Sequence, residues 1–149
     1  MDFVQAKYCI FPQIVYLPEL YEAAPNAIWI LPFRNVSSWV RSISNWTDRS
    51  IKTIRERMEE WCTFPELNFT GGKKWRKREK TDAEFEALYC NHVHHVRNFV
   101  TNHPSLSLIE YRIEDENVGK LLSKHIPNLD PDKWEQKNIL ENKIKSKIN

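Results

Sequence analysis

One short segment is apolar at nearly every position, and a helical pattern follows it at once. Residues 27–33 read AIWILPF. A strand with apolar side chains on both faces is typical of a parallel sheet that helices cover on both sides. After it, Val36, Trp39, Val40 and Ile43 repeat at the spacing of one helix face. Together these two segments predict an α/β domain.

Glycine is rare: only three of the 149 residues are glycine, against a typical share of about 7%. The chain therefore has little material for the tight turns of an all-β fold. Hydrophobic residues make up 41%, which supports a core and excludes disorder along the whole length. The net charge of +2 argues against a protein that coats nucleic acid, so no nucleic-acid partner is expected.

The remaining elements are also predicted from periodicity. In chain order they are a short helix at 18–24, a second helix with its stripe from Ile51 to Cys62, a long helix that begins with a capping box at 81–84, a buried strand at 106–113, and a helix around Val118 to His125. Ser37 and Ser38 are predicted to cap the helix after the first strand. Residues 64–80 lack a period and are predicted to form a loop or insertion.

The cysteines are three in number and widely spaced: Cys9, Cys62 and Cys90. This pattern predicts neither a disulfide framework nor a zinc site, and it favours a reducing compartment. The longest apolar run, at 27–33, is too short to span a membrane. The N-terminus lacks the pattern of a signal peptide. A cytoplasmic location is therefore the default expectation.

Arg34 follows the first predicted strand, and a helix starts just after it. In open α/β sheets, ligands bind beyond the carboxyl ends of the strands. A guanidinium beside free helix N–H groups suits phosphate or sulfate. The pattern thus predicts an anion site at Arg34. The alternative is that Arg34 pairs with a neighbouring carboxylate.

The segment WILPFRNVSSWVRSISNW resembles the part of sulfotransferases that follows their central strand. In that family an Arg closes the strand and a Ser lies eight residues on, the spacing of Arg34 and Ser42. The lead-in FPQIVYLPELYEAAPNA and the later LYCNHVHHVRNFVTNHPSLSLIEYRIEDENVGKLL are also similar to the family. Trp134 and Asn138 match its closing Trp and Asn. The resemblance covers about Tyr8 to Asn138 and is closest to Golgi and algal members.

The resemblance implies a fold, a reaction and a site. The fold would be a three-layer, helix-rich α/β domain with a mostly parallel sheet of the P-loop nucleoside triphosphate hydrolase-like type. The reaction would be sulfuryl transfer from 3′-phosphoadenosine 5′-phosphosulfate to a hydroxyl or amine, on a carbohydrate acceptor. Arg34 and Ser42 would hold the 3′-phosphate of this donor. The resemblance leaves a Golgi location as the alternative to the cytoplasmic default, for the case that an N-terminal membrane anchor has been lost.

The chain also departs from the family pattern. Sulfotransferases begin with a glycine-rich phosphosulfate loop, and no GxxxxGK[ST] motif occurs here. We therefore expect a sulfotransferase-like domain over residues 1–138 that is incomplete at its N-terminus and inactive alone, with a basic tail at 139–149. Two alternatives remain: a non-catalytic nucleotide- or anion-binding remnant, and a small interaction protein that uses the basic loop.

Three histidines lie close together in the long helix: His92, His94 and His95. Their spacing does not direct three imidazoles at one ion, so no metal is expected. His92 falls on the apolar stripe and is predicted to be a satisfied core residue. His94 and His95 face elsewhere and are candidates for a catalytic base.

Two further charged segments have a functional and a structural interpretation. Glu114 and Asp115 can pair for acid–base chemistry, but a strand end favours a cap, with Asp115 capping the next helix. The basic run from Lys73 to Lys80 contains Trp75 and is typical of a solvated loop. Contact with a polyanionic acceptor is the alternative for this run.

Overall fold

The computed structural model describes residues 9, 11–47, 51–71 and 79–131. Their elements, in chain order, are α1 (Pro12–Val15), α2 (Leu17–Ala23), β1 (Ile28–Phe33), α3 (Val36–Asn45), α4 (Ile54–Trp61), β2 (Thr63–Phe64), a 3-10 turn (Pro65–Leu67), β3 (Phe69–Thr70), α5 (Asp82–Thr101), β4 (Ser107–Arg112) and α6 (Val118–Ser123). Most of the basic run, together with Trp134, Asn138 and the tail at 139–149, lies outside the described residues.

The sheet that positions the site consists of β1 and β4. The two strands are parallel and pair from Ile28 opposite Ser107 to Phe33 opposite Arg112. Both strands and a mixed α/β domain were predicted, and both predictions are confirmed. Within the described residues this sheet has two strands, so a larger sheet of the P-loop type is not seen there.

The backbone groups of β1 point alternately toward β4 and away from it. Phe33 O accepts a hydrogen bond of 2.9 Å from Ile113 N–H, beside β4. Since alternate residues of a strand face the same edge, Ile28, Ile30 and Pro32 turn their backbone groups away from β4. Pro32 is tolerated inside β1 because proline lacks an N–H and its backbone faces away from β4, so no hydrogen bond between the two strands is lost.

Helices lie on both faces of the sheet, as expected for three layers. On one face, α2 and α5 bury Leu17 and Val96 against Leu31 of β1. On the other face, α6 buries Val118 against Ile109 of β4. The sheet is thus a thin central layer between two layers of helix.

The second face of β1 differs from the prediction. Ile28 and Ile30 are about two-fifths exposed, although an apolar strand was expected to be covered on both faces. The reason is that α6 lies over β4, and no described element covers the same face of β1. The expectation of full burial is therefore wrong for these two side chains.

The largest core lies between α3, α4 and α5. Its most deeply buried members include the following side chains: Val40, Met58, Cys62, Phe64, Leu67, Phe69, Phe85 and Leu88. Residues 64–80 were predicted to form a loop or insertion without a period, and within the described part of the chain, residues 63–70 form two short antiparallel strands with a 3-10 turn between them. Phe64 pairs with Phe69 across β2 and β3, and two-residue strands are too short to show a period.

Two details of α4 also differ from the prediction. The helix begins after Thr53, whose side chain forms a capping box with Glu56. Ile51 therefore precedes the helix and is fully exposed, and Trp61 is half exposed at its end. The capping box predicted at the start of α5 is confirmed, with Thr81 and Glu84 as its partners.

A disulfide joins Cys9 and Cys62, with 5.1 Å between the two Cα atoms. Cys90 is free and exposed. The expectation of a chain without disulfides is therefore wrong. Cys9 and Cys62 are 53 residues apart, and tertiary packing rather than a local motif brings them together. None of the helices in the described part of the chain has the length and hydropathy that a membrane span requires.

Candidate functional site

The candidate site lies at the junction between β1 and α3, where Arg34 and Asn35 connect the two elements. Asn35 is the N-cap of α3, and its side chain accepts a hydrogen bond of 3.1 Å from Ser38 N–H. The prediction that Ser37 and Ser38 supply the cap is therefore wrong. The Ser37 hydroxyl instead donates to Glu86 on α5, at 3.2 Å.

Among the described residues, the guanidinium of Arg34 is paired with Glu114. Its Nε lies 3.7 Å from Glu114 Oε1, which is beyond hydrogen-bond distance. Arg34 Nε is buried and has no hydrogen-bond partner among the described residues. A buried donor without a partner costs about 1–3 kcal/mol. The predicted pairing with a carboxylate is thus present, but it leaves hydrogen-bonding capacity free for a ligand.

Ser42 lies within α3, one turn after Ser38. These two hydroxyls share a face because they are four residues apart on a helix. Ser42 is half-buried. The guanidinium of Arg41 donates to the Ser38 hydroxyl at 3.4 Å, which adds a second cation to this part of α3. The structure thus places Arg34 just before α3 and Ser42 in its second half.

Tyr89 of α5 contacts the Arg34 backbone twice. Its hydroxyl accepts a hydrogen bond from Arg34 N–H at 2.8 Å and donates one to Arg34 O at 3.2 Å. The Tyr89 ring packs against Trp39 of α3, with 5.1 Å between the ring centres. The junction is therefore tied to α5, a contact that local sequence patterns did not predict.

A family model described as a sulfotransferase domain matches residues 6–138. The chain belongs to the sulfotransferase family. The match agrees closely with the range of about Tyr8 to Asn138 over which the sequence resembles sulfotransferases. Neither a comparison with curated proteins nor one with solved structures gives a significant match.

In this sulfotransferase-family chain, His92 lines a groove of about 450 Å³ beside β1. The groove is apolar, with Leu17, Trp29 and Val96 in its wall. His92 Nδ1 is buried without a hydrogen-bond partner among the described residues, so the prediction of a satisfied core residue is wrong. Burial lowers the pKa of His92, and the charge of nearby His95 lowers it further.

The other predicted bases are placed differently. His94 is exposed and His95 is half-buried on α5, and a catalytic role for either stays a prediction. No three His, Cys, Asp or Glu side chains in the described ranges are grouped to hold a metal ion.

Glu114 and Asp115, which follow β4, have different partners. Glu114 faces Arg34, whereas Asp115 Oδ1 accepts a hydrogen bond of 2.8 Å from Asn117 N–H. Asn117 is the N-cap of α6, so the prediction of Asp115 as the cap is wrong by two residues. Asp115 stabilises the turn that leads into α6.

Proposed function

We propose that this chain binds the 3′-phosphate of 3′-phosphoadenosine 5′-phosphosulfate at the junction of β1 and α3. The proposed reaction is sulfuryl transfer from this donor to a hydroxyl or amine of a carbohydrate. The observation that carries the proposal is the Arg34 guanidinium, which lies beside the start of α3. Its side chain is 30% exposed, and no described residue is hydrogen-bonded to its Nε. The parallel strands with helices on both faces support a P-loop-like fold.

The chemistry of the junction suits a phosphate. A guanidinium donates charge-assisted hydrogen bonds to phosphate oxygens, often two in parallel. The start of α3 adds partial positive charge and backbone N–H groups. Ser42 supplies a hydroxyl that donates to a third oxygen. In the proposed reaction, the bond between sulfur and the 5′-phosphate oxygen breaks as the acceptor oxygen or nitrogen bonds to sulfur, and 3′,5′-bisphosphoadenosine leaves.

Replacement of Arg34 tests this proposal. Arg34→Ala is expected to weaken the binding of 3′,5′-bisphosphoadenosine by about 1.5–3 kcal/mol, since a charge-assisted hydrogen bond is lost. Isothermal titration calorimetry measures this loss. Adenosine 5′-phosphate, which lacks the 3′-phosphate, is the ligand control and should bind more weakly to the unchanged protein. Lys120→Ala, which removes an exposed cation from α6, is the matched protein control. Equal affinity for the two nucleotides would contradict the proposal.

Glu114→Gln is expected to strengthen nucleotide binding, whereas Arg34→Ala weakens it. The Glu114 carboxylate competes with a bound phosphate for Arg34 and repels it. Exposed ion pairs are worth about 0.2–1 kcal/mol, so the variant is expected to bind 3′,5′-bisphosphoadenosine up to about five-fold more tightly. Titration at low and at high salt checks this, because the gain should shrink when charges are screened. Weaker binding in the variant would show that Glu114 supports the site instead.

A non-catalytic nucleotide-binding role would use the same contacts. A turnover assay with labelled donor and several carbohydrate acceptors tests for catalysis. We expect no transfer of label by this chain alone, since its sequence contains no glycine-rich phosphosulfate loop. Transfer that Arg34→Ala abolishes would exclude the non-catalytic role and contradict the expectation of inactivity. The interaction role proposed for the basic loop concerns residues that lie mostly outside the described ranges.

A further inference from the structure

The backbone of Arg34, at the junction between β1 and α3, is hydrogen-bonded to a side chain of α5. A single phenol hydroxyl, that of Tyr89, bonds to both the N–H and the C=O of Arg34. Tyr89 and Arg34 are 55 residues apart in sequence. The contact therefore joins a helix of one layer to the end of a strand in another.

The Arg34 N–H needs such a partner because of its place on the strand. Phe33 O points toward β4, where it accepts from Ile113 N–H. The next residue turns its backbone groups to the opposite edge. No described strand pairs along that edge. Without the Tyr89 hydroxyl, the described part of the chain would leave both the N–H and the C=O of Arg34 unpaired.

We propose that Tyr89 is a positioning residue for the Arg34 anion site. Its hydroxyl holds the Arg34 backbone, and this fixes the point from which the guanidinium extends and from which α3 starts. The inference rests on the proposed function of Arg34, and it adds the residue that keeps the site in place before a ligand binds.

Tyr89 is itself held firmly enough for this role. It lies on α5, a helix of 20 residues, directly after Leu88, which is buried. The tilted contact of its ring with Trp39 connects it to α3. The same side chain therefore contacts both elements that form the site, the end of β1 through its hydroxyl and α3 through its ring.

Tyr89→Phe tests the inference, because it removes the hydroxyl and keeps the ring that packs on Trp39. The variant is expected to bind 3′,5′-bisphosphoadenosine about five- to ten-fold more weakly, the worth of one to two ordinary hydrogen bonds. Its affinity for adenosine 5′-phosphate should stay the same, since that ligand lacks the 3′-phosphate. Tyr21→Phe is the matched control, since its hydroxyl contacts the exposed Ser105.

A second measurement does not depend on any ligand. Hydrogen exchange of the Arg34 amide, followed by NMR, should be at least several-fold faster in Tyr89→Phe than in Tyr21→Phe. The amide of Trp39, which donates to Asn35 O within α3, should exchange at an unchanged rate. Unchanged exchange at Arg34 would overturn the inference.

The outcomes separate this inference from the proposed function. If Arg34→Ala loses the preference for the 3′-phosphate and Tyr89→Phe keeps it, the positioning role is wrong and the anion site stands. If Arg34→Ala changes neither affinity, the anion site is wrong, and the positioning role for it falls as well. If Tyr89→Phe weakens the binding of both nucleotides equally, Tyr89 supports the fold in general, and the inference is overturned.

Discussion

Reduction of the Cys9–Cys62 disulfide is expected to lower the free energy of unfolding by about 4 kcal/mol. The two residues are 53 positions apart, and closing a loop of this length removes much of the entropy of the unfolded chain. Cys62 is 1% exposed and Cys9 is 7% exposed, so the disulfide belongs to the main core. This loss is a large part of the total free energy of unfolding, which is about 5–15 kcal/mol for a typical domain.

Urea unfolding with and without dithiothreitol measures this effect. Cys9→Ala should unfold as the reduced protein does and should not respond to dithiothreitol. Cys90→Ser is the matched control, because Cys90 is free and exposed, and its unfolding should keep the full response to the reductant. An unchanged midpoint on reduction of the original chain would contradict the stabilising role of the disulfide.

The disulfide also changes the argument about compartment. An odd number of scattered cysteines favours a reducing environment when only their spacing is considered. Disulfides form and persist in oxidising environments. The cysteine pattern therefore no longer supports the cytoplasmic default, and the Golgi alternative implied by the resemblance does not conflict with this pair.

The sequence predicted the elements whose signals are local. The apolar run at 27–33 became β1, the capping box at Thr81 begins α5, and both central strands form the expected parallel pair. The parallel pairing joins residues far apart in the chain, such as Ile28 and Ser107, and was expected because strands that are apolar on both faces are typical of parallel sheets. The apolar run and the capping box each rest on residues within about one or two helix turns of one another. Such patterns are visible in a single sequence because the contacts that matter are between near neighbours.

The errors have the opposite origin. The pairing of Cys9 with Cys62 and the exposure of Ile28 depend on parts of the chain that are far apart in sequence. The short strands around Phe64 and Phe69 depend on burial against α5 rather than on their own period. Tertiary packing determines all three of these features, and the periodicity of a single segment does not report on tertiary packing.

The candidate site shows the same division. Arg34 was found because it ends a strand just before a helix, and Ser42 followed from its spacing in the family. Tyr89 lies one helical turn after Phe85 on α5, and this spacing indicates only that the two side chains share a face. One signal was available, since a buried tyrosine hydroxyl usually needs a hydrogen-bond partner, but the sequence could not say that the partner is Arg34.

Phe85 connects the main core to the helix that carries Tyr89. It is 0% exposed, and its ring lies 5.5 Å from the ring of Phe69. The guanidinium carbon of Arg55 lies 4.8 Å from the ring centre, and Arg55 also pairs with Asp82 at the start of α5. Phe85 is one helical turn before Tyr89, so its packing fixes this part of α5 against α4 and β3.

Phe85→Ala is therefore expected to lower the free energy of unfolding by about 3–5 kcal/mol, because it removes buried apolar contacts and leaves a cavity. Loss of the cation–π contact with Arg55 contributes to the same change. Urea unfolding at equilibrium measures it, and Ile51→Ala is the matched control. Ile51 is fully exposed, so its replacement should change stability by less than about 0.5 kcal/mol. A loss below about 1 kcal/mol for Phe85→Ala would mean that α5 is held by other contacts, and Tyr89 would then keep its place without this part of the core.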